Sequence, residues 1–311
     1  MGPSAPGDAR NCQDHVLIRR LSSLWELADV EKVALLDELA PAKSVRRGED
    51  VVSEGSESSS VSVILGGVAC RYHMLGDGQR QIVAFLLPGD IVDLFSSVVD
   101  VHDHAVSALS HCKVAHIPQN SFDRLMTSYP NLGFAIWRYC LSEFSVLQSW
   151  LSNMRRRSAA QRLAHVFCEQ FMRLESVGLA ERGKPVELQM VQSDLADATG
   201  MSSVHVNRTL QYLRHRGLIG RDPALLQILD WAGLRELADF DPTYLHLRRA
   251  GEFSRPDSMR AQIHGLQSDR ESGFSRPVPG GPVQTDRSTE PERRTPTAPN
   301  AKLRAIGPTD A

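Results

Sequence analysis

The sequence contains no run of about 18 apolar residues, so it predicts no membrane-spanning helix. The polar segment Met1–Arg20 lacks the apolar stretch of a secretory signal peptide. The five cysteines are scattered and form no Cys-x-x-Cys pair, which favours a reducing compartment over a disulfide-stabilised secreted chain. Together these absences predict a cytoplasmic protein with no membrane partner.

Sequence motifs of several enzyme classes are also missing. The chain has no G-x-S-x-G nucleophile motif, no H-E-x-x-H zinc motif and no phosphate-binding P-loop, and we therefore expect no enzymatic activity. The formal net charge is only −2 over 311 residues. Any surface that binds nucleic acid must therefore be a confined basic region, because the whole molecule is not a polycation.

Short apolar runs separated by turn residues occupy the stretch from Ala42 to about Pro118. This punctuation is typical of a compact β-roll or barrel. Asp77-Gly78 lies between two strand-like runs and predicts a hairpin. Before this stretch, residues 14–39 have the apolar spacing of a helix.

A long helix is predicted after Pro130. Its apolar residues are alternately four and three positions apart, which is the heptad spacing of a seam for a second helix. The predicted seam residues are Trp137, Cys140, Phe144, Leu147, Leu151 and Met154. The large apolar area of Trp137, Phe144 and Trp150 favours a homodimer over a helix packed only against its own domain.

Two short helices joined by a tight turn are predicted between Gln192 and Ile219. Gln192 or Ser193 can cap the first helix, Gly200 supplies the positive φ of the turn, and Ser202 caps the second helix. Val206, Leu210 and Leu213 are expected to face inward. The outward face is predicted to contact base edges through Ser203, Val204, His205, Asn207, Arg208 and Gln211.

This outward face contains no acidic residue, as a DNA major groove requires. Asn and Gln can pair with adenine, and Arg can pair with guanine, each through two hydrogen bonds. Residues 217–220 and 226–229 are predicted to form a wing, and residues 231–237 a closing helix. The pattern therefore predicts a winged helix-turn-helix that binds double-stranded DNA.

The charge of this region supports the same interpretation. Residues 155–221 contain eleven Lys or Arg and six Asp or Glu, a net charge of +5. An arginine run is often only a solvated surface, but beside a helix-turn-helix it favours phosphate contact. The predicted phosphate contacts are Gln192, Ser193, Ser202, Arg214, Arg216 and Arg221.

These elements predict an α+β protein with an N-terminal double-stranded β-helix of the jelly-roll type. The expected parts are a flexible N-terminus (1–20), a sensory β-roll (21–129), a dimerisation helix (130–154), a winged helix-turn-helix (155–240) and a disordered tail (250–311). The tail contains eight of the 17 prolines and few apolar residues, too few to offset the entropy of ordering. Its repeated Phe-Ser-Arg-Pro string is either a docking motif or a chance duplication.

The order of β-roll, long helix and winged helix-turn-helix resembles the Crp/Fnr superfamily of bacterial regulators over roughly residues 20–240. The matching motifs include Pro88-Gly89-Asp90, Asp194-Leu195-Ala196 and Gly217-Leu218-Ile219. The resemblance implies a homodimer on a palindromic site, RNA polymerase as a partner, and a guanine contact from Arg208. Val204 stands where many members have glutamate, so the usual half-site is not expected, and Val204 can instead touch a thymine methyl group.

The same resemblance places a possible effector pocket at Asp93, Leu94, His102 and His104. Asp93 and Leu94 replace the Gly-Glu pair of cyclic-nucleotide-binding members, and no arginine lies between Leu94 and Ser110. We therefore expect no cyclic AMP binding of the usual kind, because a buried phosphate would lack its guanidinium partner.

No cofactor is predicted. Cys12 alone cannot hold an iron-sulfur cluster, which needs about four ligands. The histidines leave haem or a metal open, and His102-Asp103-His104 is also the beginning of a cupin-type metal site; the alternative is that both are surface-loop histidines. Cys70 and Cys112 are either redox sensors or small core residues. The competing function is thus a ligand- or metal-binding cupin-like roll whose C-terminal domain mediates protein contacts.

Overall fold

A computed structural model describes residues 12–248 except 58, 95–100, 188 and 223–224. The predicted disordered tail, with its repeated Phe-Ser-Arg-Pro string, lies outside the described residues, and so do residues 1–11 of the predicted flexible N-terminus. Among the described residues, no helix has the length and apolar character needed to cross a bilayer.

The N-terminal half forms the predicted β-roll, and the α+β fold class is confirmed. Helices α1 and α2 precede it. Within the described part of the roll, seven strands build two antiparallel sheets, with orders β1-β7-β3 and β2-β6-β4-β5. The bounds are α1 Val16–Ser22, α2 Asp29–Asp37, β1 Lys43–Val45, β2 Asp50–Val52, β3 Ser60–Gly66, β4 Ala69–Met74, β5 Arg80–Leu86, β6 Ala105–Ala108 and β7 Cys112–Pro118. The hairpin predicted at Asp77-Gly78 connects β4 to β5.

The C-terminal half is mainly helical. Its helices are α3 Gln119–Ser128, α4 Pro130–Arg156, α5 Ala159–Ser176, α6 Gln192–Thr199, α7 Ser203–His215 and α8 Trp231–Ala238, followed by a 3-10 helix at Pro242–Leu245. Helix α4 is the predicted long helix and continues two residues beyond the predicted end. It ends at Arg156, with Arg157 as its C-cap, and Ser158 caps α5 by accepting a hydrogen bond from the Gln161 backbone N–H.

The expectation of a flexible segment over residues 1–20 is wrong for the part that the structure describes, because residues 12–14 and 16–20 are helical. Val16 to Arg20 belong to α1, and Leu17 and Ile18 are fully buried in the core under the roll. Gly89, with a φ of +96°, allows this close packing, because a Cβ there would lie 2.8 Å from the Val16 carbonyl oxygen. The helical spacing predicted from residue 14 onward is thus the better guide to this segment than its polar composition, and tertiary packing stabilises so short a helix.

A buried cluster of four charged side chains joins α1, α4 and α5 to the turn after β5. The Asp90 carboxylate accepts hydrogen bonds from Arg20 Nε at 3.0 Å and Arg173 Nη2 at 2.6 Å. Glu143 lies 3.3 Å from Arg20 and 3.7 Å from Arg173. Within this group of four, two cations face two anions, and Glu169 adds a further buried acid 3.9 Å from Arg173. These contacts let the charges remain buried where the roll meets the helices.

Candidate DNA-binding site

Helix α6 and the turn that follows it are fixed by specific backbone contacts. The first helix is capped at Val191, not at Gln192 or Ser193 as predicted: the Val191 N–H donates to Asp194 Oδ2 at 3.0 Å. Gly200 ends α6 with a φ of +65°, as the sequence predicts. Arg162 Nη1 donates to the Thr199 carbonyl oxygen at 2.7 Å and so ties the turn to α5.

Helix α7 has the two faces that the sequence predicts. Ser202 caps it, with Oγ accepting a hydrogen bond from the His205 N–H at 3.2 Å. Val206, Leu210 and Leu213 are buried against α5 and α6. All six predicted base-edge residues are exposed: Ser203, Val204, His205, Asn207, Arg208 and Gln211.

Two features of α7 were not predicted from the sequence. The ring of Tyr212 is 43% exposed on the outward side of the helix. Arg216 Nη1 donates to Tyr212 Oη at 2.9 Å, and the guanidinium carbon lies 5.8 Å from the ring centroid. The i, i+4 spacing was the available signal for this pair.

The predicted phosphate contacts divide into two groups. Ser193, Ser202, Arg216 and Arg221 are exposed, and Gln192 is half-buried at the start of α6. Arg214 is also half-buried, and its Nε donates to the Gly220 carbonyl oxygen at 3.3 Å. Arg214 is therefore held against the wing in this structure.

The wing is small. Ile219 pairs with Ile228, and the Gly220 N–H donates to the Gln227 carbonyl oxygen at 2.7 Å. Val186 forms an isolated antiparallel bridge with Leu226. The closing helix α8 is present and ends one residue later than predicted.

The predicted seam lies on a largely exposed face of α4. Trp137 is 59% exposed and Leu151 is 64% exposed, whereas Cys140 is half-buried. The other exposed seam residues are Phe144, Leu147 and Met154, and Leu141 shares their face. An apolar stripe of this size is a recognised mark of a protein interface.

Trp150 does not add to this face, contrary to the sequence argument. Its ring packs edge-on against Phe85 of β5 at 5.6 Å between centroids, and its Nε1 donates to Glu169 at 3.0 Å. The opposite side of α4 therefore anchors the roll and α5. The sequence of one helix shows which residues are apolar, but it does not show which neighbouring element packs against each of them.

The predicted effector residues lie in the interior of the roll. Asp93 and Leu94 are buried, and Asp93 Oδ1 accepts a hydrogen bond from the Ser62 N–H at 2.7 Å. Burial raises the pKa of the Asp93 carboxyl, although hydrogen bonds from Ser62 oppose this. The surface-loop alternative for His102 and His104 is wrong, because both are buried.

The sequence also missed the arginine of this region. Arg71 on β4 donates from Nε to His104 Nε2 at 3.1 Å and from Nη2 to the Val92 carbonyl oxygen at 3.0 Å. His102 and His104 both precede strand β6, which begins at Ala105, so they do not project side by side from one strand toward a metal ion. Within the described part of the chain, no group of three His, Cys, Asp or Glu side chains is arranged to hold a metal ion.

Comparisons with known proteins agree with this architecture. A cyclic nucleotide-binding domain profile matches residues 42–129, and a Crp-like helix-turn-helix profile matches residues 161–237. The transcriptional activatory protein AadR of Rhodopseudomonas palustris is 28% identical over 235 residues, which cover 73% of this chain and 93% of AadR. The nitrogen fixation regulation protein FixK of Bradyrhizobium diazoefficiens is 29% identical, with 73% of this chain and 93% of FixK covered.

Among solved structures, FixK2 from Bradyrhizobium japonicum superimposes with a TM-score of 0.57 at 25% identity. The match covers 63% of this chain and 96% of FixK2. Fold and site thus define a transcription regulator with a DNA-binding helix-turn-helix. The chain belongs to the Crp/Fnr family.

Proposed function

We propose that this regulator acts as a homodimer that recognises a palindromic operator with one α7 helix in the major groove of each half-site. The observation that carries the proposal is the composition of α7. Its inward residues are buried, and its exposed residues include Asn, Arg, Gln and His but no acid. Such a face complements both the base edges and the phosphate charge of DNA.

The exposed side chains divide the work of recognition. Arg208 pairs with guanine, and Asn207 and Gln211 are suited to adenine. Val204, which is 63% exposed at the start of α7, touches a thymine methyl group. Ser202 and Ser193, at the N-termini of the two helices, contact phosphate, since helix N-termini favour anions.

Selection from a random duplex library with the purified full chain, at stated salt, tests this proposal. We expect a palindromic consensus with half-site centres about one helical turn apart. The Arg208→Ala variant should relax the preference at one guanine position and cost about 1–3 kcal/mol. As a control, Arg221→Ala should weaken binding to all sequences alike and reduce the salt dependence, as expected for a phosphate contact.

Two results would contradict the proposal, one for the placement of α7 and one for the dimeric mode of binding. Unchanged selection by Arg208→Ala would mean that this arginine does not read a base. A consensus without two-fold symmetry would contradict the dimeric mode of binding, because a two-fold dimer reads two inverted half-sites.

The exposed stripe on α4 supports the homodimer. Two copies of the stripe can bury each other in a heptad-type contact. Phe144→Asp and Leu147→Asp should each convert the dimer to a monomer in sedimentation velocity, because a charge would be buried at the seam. Val30→Asp is the matched control: Val30 is also an exposed apolar residue, but it lies on α2. A dimer that survived both seam changes would refute the contact.

The signal is proposed to be neither cyclic AMP nor an iron-sulfur cluster. The buried Asp93 carboxylate occupies the region where a cyclic phosphate would need a cation, and the Arg71 guanidinium is already engaged with His104 and Val92. Calorimetric titration with cyclic AMP should therefore show no heat of specific binding. RNA polymerase is proposed as the partner at promoters, and activation in a purified transcription reaction tests that contact.

A further inference from the structure

Two arginines of the roll form ion pairs with the first helix of the helix-turn-helix. Arg80, at the start of β5, lies 2.9 Å from Asp194 and 2.8 Å from Asp197 of α6. Arg47, in the turn after β1, lies 2.9 Å from the other Asp194 oxygen and also donates to the Leu109 carbonyl oxygen. We call these four residues, Arg47, Arg80, Asp194 and Asp197, the latch.

The latch holds backbone as well as side chains. The Asp194 carboxylate is 1% exposed and accepts a hydrogen bond from the backbone N–H of Val191, the N-cap of α6. The two arginines therefore pair with a carboxylate that is already held in place by its own helix. Gln81 adds a hydrogen bond from Nε2 to the Asp197 carbonyl oxygen at 2.8 Å. Charge-assisted contacts of this kind fix orientation better than apolar packing, because they tolerate little displacement.

We infer that Arg47 and Arg80 are positioning residues for operator binding: they set the orientation of the helix-turn-helix relative to the roll. The covalent connection from α4 to α5 passes through only Arg157 and Ser158. A palindrome demands that both recognition helices reach the DNA at one fixed separation. The buried Asp90–Arg173 contact already holds α5 against the roll. The latch adds a second point of attachment, on α6, that restricts rotation about this connection before DNA is bound, so less orientational entropy is lost on binding.

The inference rests on the proposed function. It predicts a change in operator affinity for Asp197→Asn that is opposite in sign to the change expected from charge alone. Removing the negative charge of Asp197 from a helix that lies near phosphates should strengthen DNA binding if charge alone matters. If the latch positions the domain, the Asp197→Asn variant must weaken operator binding instead. Asp197 is the right target because Asp194 also caps α6.

The experiment compares two duplexes in the full-length dimer. One carries the selected palindrome, and the other carries one intact and one scrambled half-site. Asp197→Asn and Arg80→Ala should each weaken palindrome binding at least about fivefold, the lower range of a typical coupling between sites. Binding to the duplex with one half-site should be unchanged or slightly tighter for Asp197→Asn, because one domain can bind there without a fixed partner separation and the lost carboxylate only removes repulsion from phosphate. The double variant should be no weaker than Arg80→Ala alone.

Arg46→Ala is the matched control for lost positive charge, because Arg46 is the exposed neighbour of Arg47 in the same turn. It should bind the palindrome more tightly than Arg47→Ala does. Tighter or unchanged palindrome binding by Asp197→Asn would overturn the inference, as would equal losses on both duplexes.

Hydrogen exchange of the free dimer tests the latch independently of the proposed function, because it is measured without DNA. Both Arg80→Ala and Asp197→Asn should accelerate exchange of the α6 amides without lowering the melting temperature of the roll. If wild-type protein selects no DNA but this acceleration is present, the proposed function fails while the contact stands. Unchanged exchange in both variants would refute the latch itself.

Discussion

Removal of the Asp90 carboxylate should destabilise the protein far more than removal of an exposed one. Asp90 is 1% exposed and is the shared acceptor of Arg20 and Arg173, whose side chains are 3% and 2% exposed. In Asp90→Ala, Arg20 keeps only Glu143, at 3.3 Å, and Arg173 keeps Glu143 at 3.7 Å and Glu169 at 3.9 Å. The Leu87 N–H also loses its acceptor. Breaking a buried pair in this way typically costs about 3–5 kcal/mol.

Urea denaturation monitored by fluorescence measures this cost in the free energy of unfolding. Asp90→Asn should lose less than Asp90→Ala, because its amide oxygen can still accept the Leu87 N–H. Glu181→Ala is the control: Glu181 and Lys184 form an ion pair whose side chains are 67% and 68% exposed, so its removal should change stability little.

A cost below about 1 kcal/mol for Asp90→Ala, at an unchanged m-value, would refute the reasoning. It would mean that water or side-chain movement replaces the interactions that Arg20 and Arg173 lose with the Asp90 carboxylate. A changed m-value would indicate instead that the unfolding transition itself had altered, and the comparison would then use hydrogen exchange.

Three further predictions follow from single residues. Burial and the Arg157 guanidinium lower the pKa of His165 to about 3. Below about pH 6.5 only the unfolded chain therefore gains this proton, and His165 lowers the free energy of unfolding by at most about 1.4 kcal/mol per pH unit. His165→Gln should make the fall in stability between pH 7.5 and 5 shallower in urea titrations. Gly67→Ala should cost more than about 1 kcal/mol in the same assay, because φ is +82° and a Cβ would lie 2.4 Å from a carbonyl oxygen, whereas Gly76→Ala, in open space, should cost little. Burial raises the pKa of Cys70 to about 12, so it should resist alkylation in native protein, and rapid labelling would revive the redox-sensor alternative.

The pattern in α7 was predictable because it depends on neighbours within the same segment. A helix period, a capping Ser202 and a glycine in the turn are written in consecutive residues. The buried face of Val206, Leu210 and Leu213 follows from that period, and the structure confirms it. The exposed face was predictable for the same reason.

The interior of the roll was less predictable, because its contacts join distant residues. Arg71 donates a hydrogen bond to His104, which is 33 positions away in the sequence. The expectation that no guanidinium is present rested on residues 94–110 alone, and Arg71 lies outside that range. The adjacent Asp103 favoured the surface-loop alternative for His102 and His104, yet tertiary folding buries both. Neighbouring charge is a weak guide to burial when a loop folds back into a roll.

The sequence by itself determined the order of the parts, the α+β class and the two faces of the recognition helix, because helix periods and turn residues act over a few positions. Only the tertiary structure decided which surfaces those parts share. The packing of α1 under the roll, the burial of Trp150 and the latch on α6 depend on pairs of residues far apart in the chain. Such pairs leave no periodic signal in a single sequence, because their partners are selected by the shape and charge of the folded chain.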